Sequence, residues 1–525
     1  MTGTAREPAP LVIPPMFNLT TALVDDRLAS GDEARVAIET PSRTWTYGEV
    51  YELVNRAGNA LLALGVMREQ RVLICLPDSV EFIAALLGAI RIGAVGVPCS
   101  TFLGSADYAY FLRETRAAVL VTTRELLGRM TTAAAEARDL RSIVIVGPAA
   151  QDPRARDWGA LVDSASPESP AAETHRDEAA LWLWTSGSTG EPKAAVHLHQ
   201  DALWCCHLFG QGVLGIGRND RVFSAAKLFH AYGLGNALFF PFWTGATAIL
   251  VPDRALPDLV FTVIDSRKPT VFFGVPTLYA SMLQIDDAAE RFDLSSLRFC
   301  VSAGEPLPAE IYHRWHARFH LEILDGIGST ELLNMYICSR PGRIKAGSSG
   351  EIVPGYSVRI VDEQGDEVAT NQTGDLLVKG PSASVMYWNR RDQTKQKMRG
   401  EWFVSGDKYR VDEDGYFWYA GRADDMFKVS GEWVSPTEVE ATLVTHDAVV
   451  ECAVVPYAEA LGVLKPRAFV VLRAGVEGSR TLIEELQAVV RSRLAAYKCP
   501  REIAFLPELP KTATGKIQRF KLRSI

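Results

Sequence analysis

Trp182-Leu183-Trp184-Thr185-Ser186-Gly187-Ser188-Thr189-Gly190-Glu191-Pro192-Lys193 is the stretch that decides the fold. An apolar strand runs into five small residues, then Gly190, Glu191, Pro192 and a lysine. Gly187 and Gly190 let the backbone turn its N–H groups toward one point, which makes an anion-binding concavity. Thr185, Ser186, Ser188 and Thr189 can donate hydroxyl hydrogen bonds to phosphate oxygens, and Lys193 adds a positive charge. The spacing G-x-x-x-x-G-K-[ST] is absent, so a P-loop NTPase mechanism is disfavoured. A plain Ser/Gly hairpin is the alternative, but a strand-anchored turn that ends in G-x-P-K argues against it.

Outward from this loop, short β-rich runs alternate with amphipathic helical stretches through the first 350 residues. Val72–Leu76 reads as a strand, Ser79–Ile92 as a helix and Gly93–Pro98 as the next strand, a βαβ rhythm that predicts parallel sheets covered by helices. The Ala-, Pro-, Ser- and Asp-rich stretch from Ala149 to Arg176 is expected to be a solvated connection. From Gly350 to Tyr419 the pattern changes to short strands broken at Glu363–Asp366, Thr373–Asp375 and Glu413–Gly415, which predicts a small β-rich subdomain. A smaller α/β unit of about a hundred residues follows, a size suited to a separate domain. It carries a helix opened by Ser435-Pro436, strands at Val449–Pro456 and Ala468–Leu472, and a helix over Leu482–Leu494. The boundary is placed near Asp424, dividing the chain into 1–423 and 424–525.

Composition sets bounds on this reading. The chain has 525 residues, too many for one compact core. With 47% hydrophobic and 22% charged residues it has the make-up of a globular enzyme. A net charge of −8 without a long basic run predicts no nucleic-acid partner. The eight cysteines show no C-x-x-C pair and no zinc spacing, which predicts free thiols in a reducing compartment. The N-terminus lacks an apolar signal core, so a cytoplasmic location is expected. Ala231–Pro252 carries no charge and is long enough to span a bilayer, but Asn236, Pro241 and Gly245 interrupt it. A buried helix followed by a strand at Thr247–Val251 is predicted instead, with no membrane span.

The chain resembles the adenylate-forming superfamily of acyl-CoA synthetases, luciferases and peptide-synthetase adenylation domains. The likeness runs over essentially the whole length. Beyond the loop it rests on Ser302-Ala303-Gly304-Glu305-Pro306-Leu307, Asp325-Gly326-Ile327-Gly328-Ser329-Thr330-Glu331, Ser405-Gly406-Asp407, Gly421-Arg422-Ala423-Asp424-Asp425 and Pro510-Lys511-Thr512-Ala513-Thr514-Gly515-Lys516. The resemblance implies an α/β fold: a large N-terminal domain of two αβ-layered sheets plus a β-barrel-like part, and a small mobile α+β C-terminal lid. It implies ATP, Mg²⁺ and coenzyme A as the reaction's partners. Gly304, Glu305 and Pro306 would present backbone to the adenine, with Asp325, Gly326 and Ile327 also on the nucleotide. Thr330 would touch the α-phosphate and Glu331 hold Mg²⁺, since a phosphate-bound hard cation needs only one or two carboxylates. Asp407 would accept from both ribose hydroxyls, with Arg422 near ribose or phosphate. Lys516 would bring carboxylate and ATP together and stabilise charge on the α-phosphorus. Asp424 would be the pivot about which the lid turns after adenylate formation, bringing Ser430 and Gly431 to the pantetheine.

The acid is read from Lys227-Leu228-Phe229-His230-Ala231-Tyr232-Gly233-Leu234-Gly235. Amino-acid-activating domains place an aspartate near here for the substrate ammonium, and this chain has His230 and Tyr232, so a free α-amino acid would lack its counter-ion. F-H-A-Y-G-L-G-N and D-G-I-G-S-T-E-L-L-N resemble benzoate-CoA ligases. Phe229, Ala231, Tyr232, Gly328 and Leu333 predict a short, flat, apolar slot for one aromatic ring. His230 either contacts the carboxylate or a phosphate, or is a core histidine. Asn334 stands where many benzoate ligases carry a histidine, which predicts tolerance of a ring amino or hydroxyl group, with 2-aminobenzoate the preferred candidate. The thiol acceptor is CoA or, alternatively, a carrier protein acting in trans, because nine residues follow Lys516. A nucleotide-binding protein without catalysis is the other alternative, and Lys516, Glu331 and Asp407 together argue against it.

Overall fold

A computed structural model describes residues 10–148, 150–185, 192–422, 425–429, 432–458, 464–511 and 517–523. The strands over the first 330 residues are apolar almost without interruption, and they are buried on both faces. Along Arg71–Cys75, Val72 and Ile74 enter one core while Leu73 and Cys75 enter another. Val271 and Phe273 divide from Phe272 in the same way, as the two-residue period of a strand requires.

Two mixed sheets result. One orders Met386–Tyr387, Lys193–Leu198, Ala179–Thr185, Val95–Pro98, Arg71–Cys75, Val119–Thr123, Ser142–Val146 and Ala155–Asp157. The other runs Glu351–Ile352, Met335–Cys338, Ile323–Gly328, Phe299–Ser302, Val271–Gly274, Arg221–Ser224, Thr247–Ile249, Val36–Glu39 and Thr44–Thr46. Strands within each centre are parallel. Helices Tyr47–Ala63 and Val80–Arg91 lie in the core shared by both sheets. Thr46 and Glu49 form a capping box on the first, and the Ser79 hydroxyl accepts from Phe82 N on the second.

The chain has the adenylate-forming fold, with a separate C-terminal unit. A five-stranded antiparallel sheet is built from Ser357–Val361, Gly374–Lys379, Met398–Arg399, Trp402–Val411 and Phe417–Arg422. Two strands of the region read as one β-rich subdomain leave it: Glu351–Ile352 and Met386–Tyr387 pair with the large sheets. Among the described residues no β-ladder joins a strand before 424 to one after it. The later unit packs helices Pro436–Leu443 and Arg480–Arg493 on a three-stranded sheet around Val439, Leu443, Val454, Val470 and Leu486. Ser435 caps the first of these helices through Glu438 N.

One expectation is corrected. The stretch 149–176 is more than a connection: Ala155–Asp157 adds an edge strand to the sheet, and Asp157 caps a helix over Trp158–Ser164. Asn55 then donates to the carbonyl of Pro167, tying the following residues down. Ala231–Thr244 is a continuous run of helical turns before the strand Thr247–Ile249. No helix among the described residues is long and apolar enough to cross a membrane. All eight cysteines are free and buried.

Candidate active site

Parallel strands end together, and ligands of such sheets collect beyond their carboxyl ends. Here the segments leaving Arg221–Ser224, Phe299–Ser302 and Ile323–Gly328 carry residues singled out from the sequence. After Phe299–Ser302 comes Gly304 at φ +93, a conformation suited to glycine, with open space where a Cβ would stand. Glu305 and Pro306 follow it. Asp325, paired with Ser302 across the ladder, receives Leu307 N on Oδ2 at 3.4 Å, while its buried Oδ1 has no hydrogen-bond partner among the described residues. Burial pushes its carboxyl up to about 8. Gly326 and Ile327 continue the strand.

The next turn, Thr330–Leu332, is fixed through all three of its carbonyls. That of Thr330 accepts from His197 Nε2 at 2.8 Å, and that of Glu331 from Ser384 N at 2.7 Å. Leu332 O accepts from the Ser382 hydroxyl at 2.9 Å and from the Cys205 thiol. With the backbone held, the Glu331 side chain is directed inward, where Tyr387 donates its hydroxyl to Oε1 at 2.6 Å. Burial first, then the neighbouring carboxylate, holds the Tyr387 phenol well above its ordinary value, so it stays a donor. Lys193 Nζ lies 5.2 Å from the same ring. Lys193 and Thr185 face each other at the mouth of the antiparallel pair that brackets 186–191. The carbonyl of Pro192, beside them, accepts from Tyr110 at 2.6 Å.

Asp407 and Arg422 sit opposite each other on paired strands and join at 2.9 Å. Their charges and that of Glu331 converge on one buried phenol. Burial, then Asp407 and Glu331, hold Tyr336 well above its ordinary value, while Arg422 acts in the opposite direction. Glu331, Asp407 and Arg422 thus lie close enough to act on Tyr336, and Glu331 and Arg422 on Tyr387 as well.

Beside them, Phe229, Ala231, Leu333 and Asn334 are buried, and Tyr232 donates to Gly274 O and Val301 O at 3.3 and 3.4 Å. His230 stacks edge-on to Phe229 at 4.5 Å between centroids. Asn334 accepts from Met335 N through Oδ1, and its buried Nδ2 has no hydrogen-bond partner among the described residues. That amide lies against Gly235, where a Cβ would approach Nδ2 to 2.3 Å, and a Cβ on Gly328 would come within 2.5 Å of the Asn334 carbonyl. Leu333, at φ +64, turns the chain between them. Ser186, Gly187, Ser188, Thr189, Gly190, Asp424, Ser430, Gly431 and Lys516 lie outside the described residues.

Comparison with known proteins follows the same lines. The model of the AMP-binding enzyme family matches residues 25–388, and that of the AMP-binding enzyme C-terminal domain matches 438–516. The chain belongs to the AMP-binding enzyme family. A benzoate–CoA ligase of Thauera aromatica is 45% identical over 522 residues, covering 99% of this chain and 98% of that protein. The crystal structure of the anthranilate CoA ligase AuaEII in complex with anthranoyl-AMP superposes with a TM-score of 0.94 at 40% identity, covering 98% of each chain. A benzoate CoA ligase from Burkholderia xenovorans LB400 gives 0.89 at 44%, covering 97% of this chain and all of that one.

Adenylate-forming CoA ligases use ATP, Mg²⁺ and CoA. Glu331 suits a hard, oxygen-seeking cation: its carboxylate is buried, hydrogen-bonded to a phenol, and in no ion pair with a lysine or arginine among the described residues.

Sequence reading missed several residues that shape this candidate site. Tyr387 arrives on a two-residue strand, which alternation cannot reveal. Asp78 and Lys227 anchor the Phe229–Gly235 segment at its root. Lys227 Nζ donates to Val251 O and Asp253 O, each at 2.6 Å, while Asp78 accepts from Leu228 N at 2.9 Å and lies 3.6 Å from the ammonium. Burial pushes Asp78 up to about 6, with Lys227 and the amide pulling the other way. Only the charged lysine opening an otherwise apolar run gave a signal.

Proposed function

We propose that the protein is an ATP-dependent aryl-CoA ligase that activates a benzoate-type carboxylate as its aryl-AMP and then transfers the aryl group to CoA. The observation that carries this reading is that Glu331, Asp407 and Arg422 all act on one buried phenol, Tyr336, while Phe229, Ala231, Leu333 and Asn334 supply buried, largely apolar side chains. In the first step a carboxylate oxygen attacks the α-phosphorus and the bond to pyrophosphate breaks. In the second the thiol sulfur attacks the acyl carbon, AMP leaves and the thiol proton is lost. Thr330 contacts the α-phosphate, Asp407 takes the ribose hydroxyls, and Arg422 fixes Asp407 while facing the ribose or phosphate. Gly304, Glu305, Pro306, Asp325, Gly326 and Ile327 receive the adenine. Mg²⁺ held at Glu331 supplies charge neutralisation on the phosphates. Thr185, Ser186, Gly187, Ser188, Thr189, Gly190 and Lys193 cradle the pyrophosphate end, Lys516 serves the first step, and Ser430 and Gly431 line the pantetheine after a turn at Asp424. CoA is the thiol, and thioester formation with free CoA distinguishes it from a carrier protein.

Within this reading the preferred acid is 2-aminobenzoate. The buried Nδ2 of Asn334 lacks a partner among the described residues, and Oδ1 has one lone pair beyond the bond to Met335 N. A ring amino or hydroxyl group can pair with that amide, whereas unsubstituted benzoate leaves it bare at a cost of about 1–3 kcal/mol. A panel with ATP, Mg²⁺ and CoA is therefore expected to give 2-aminobenzoate a kcat/KM about tenfold above benzoate, with 4-hydroxybenzoate as the comparison. In Asn334→Leu the order should reverse. A marked wild-type preference for benzoate overturns the assignment, and no aryl-acid-dependent pyrophosphate release from any member of the panel overturns the ligase reading.

A further inference from the structure

One buried ionisable pair is not explained by substrate contact. His197 and Asp201 have side chains 0% and 2% exposed, with Nδ1 3.1 Å from Asp201 Oδ2. The same Oδ2 accepts from Leu198 N at 2.9 Å, so the carboxylate is fixed by the backbone it follows. At the far side of the ring, Nε2 lies 2.8 Å from the carbonyl of Thr330. A carbonyl only accepts, so Nε2 carries a hydrogen, and Asp201 occupies Nδ1. Apolar residues of equal volume would fill this place without desolvating a carboxylate and an imidazole. The pair is thus best explained by the geometry it imposes.

That geometry joins two separate parts of the site. His197 stands on Lys193–Leu198, the strand that leaves the phosphate loop, and the carbonyl it grips opens the turn bearing Glu331. The anchors on Glu331 O and Leu332 O come from Ser384, Ser382 and Cys205, so His197 alone among them lies on the strand of the loop itself. We propose that His197, oriented by Asp201, is a positioning residue that sets the spacing between the strand Lys193–Leu198 and the Thr330–Glu331 turn, and so governs how Mg²⁺·ATP is seated for adenylation. This rests on the roles given above to Thr330 and Glu331.

The test compares His197→Leu, which removes the donor, with His197→Gln, whose amide N–H can reach the same carbonyl, and with Asp201→Ala, which frees the ring. Three measurements are made: Mn²⁺ binding in the presence of ATP by electron paramagnetic resonance, acid-dependent pyrophosphate exchange, and thioester formation from preformed aryl-AMP and CoA. In His197→Leu, Mn²⁺·ATP binding and exchange are each expected to weaken about 10- to 100-fold, with thioester formation within about threefold of wild type. Asp201→Ala should show a smaller loss with the same split, and His197→Gln should recover most of the exchange. If His197→Leu does not fold, Asp201→Ala and His197→Gln decide the matter by the same split. Equal loss in both half-reactions, or unchanged Mn²⁺·ATP binding in a folded His197→Leu or Asp201→Ala, overturns the proposal. Wild-type enzyme that shows no exchange at all defeats the ligase reading itself, a separate result.

Discussion

Lys516→Ala is expected to lower aryl-AMP formation by about 10²–10³-fold while leaving thioester formation from preformed aryl-AMP nearly intact. The first half-reaction brings a carboxylate up to a polyanion and gathers further charge on the α-phosphorus, so a positioned ammonium acts where repulsion is greatest. The second starts from an aryl-AMP whose carboxylate charge is already gone, and the attacking thiol needs no such bridge. The described residues that flank 512–516 are held by contacts of their own. Lys511 bridges to Ile517 and pairs with Glu451 at 2.7 Å. Arg519 is bound by Glu440 at 2.7 Å, and Arg523 by Asp425 at 2.7 Å, one residue past the proposed pivot. The roots of the lysine segment are thus fastened to the body of the C-terminal unit and to its entry. Pyrophosphate exchange and single-turnover thioester formation measure the two half-reactions separately. Equal damage to both would remove the role assigned to Lys516.

What the sequence made legible, and what it did not, follows the range of the interactions. The βαβ unit at 71–98 was readable because two short apolar runs and the longer helical pattern between them are each set within a few residues. The Ser435-Pro436 helix start was readable for the same reason. The edge strand and helix within 149–176 were not, because three and seven residues of mixed polarity give too short a pattern to separate from a loop. Site geometry depended on still longer reach. Tyr387 meets Glu331 across 56 positions, and Leu228 meets Asp78 across 150, contacts that no local period encodes. His197 and Asp201 lie four apart, so their pairing was visible in principle. Their burial against Thr330 was not, since it depends on two sheets meeting. Glu331, Asp407 and Arg422 could be named beforehand only through motif resemblance, and it is the fold that brings their charges onto one phenol.

Glu331→Gln is the second large effect expected, and it separates chemistry from stability. Glutamine keeps the shape of the side chain and an Oε1 that can accept the Tyr387 hydroxyl, so that hydrogen bond survives. The change removes only the negative charge. Because that charge is buried and has no lysine or arginine ion-pair partner among the described residues, its loss relieves a desolvation cost. The ligand-free variant should therefore unfold at the wild-type temperature or above it. Its pyrophosphate exchange should fall about 10²–10³-fold, since neutralisation of the triphosphate is weakened at the step where charge builds. Tyr387→Phe is the companion: the charge stays, its orientation loosens, and a loss of about tenfold is expected. Thermal unfolding without ligand and exchange against Mg²⁺ concentration check both variants. Exchange near the wild-type rate in Glu331→Gln would show that the cation is held elsewhere, and a fall in unfolding temperature matching the fall in activity would make Glu331 a structural residue.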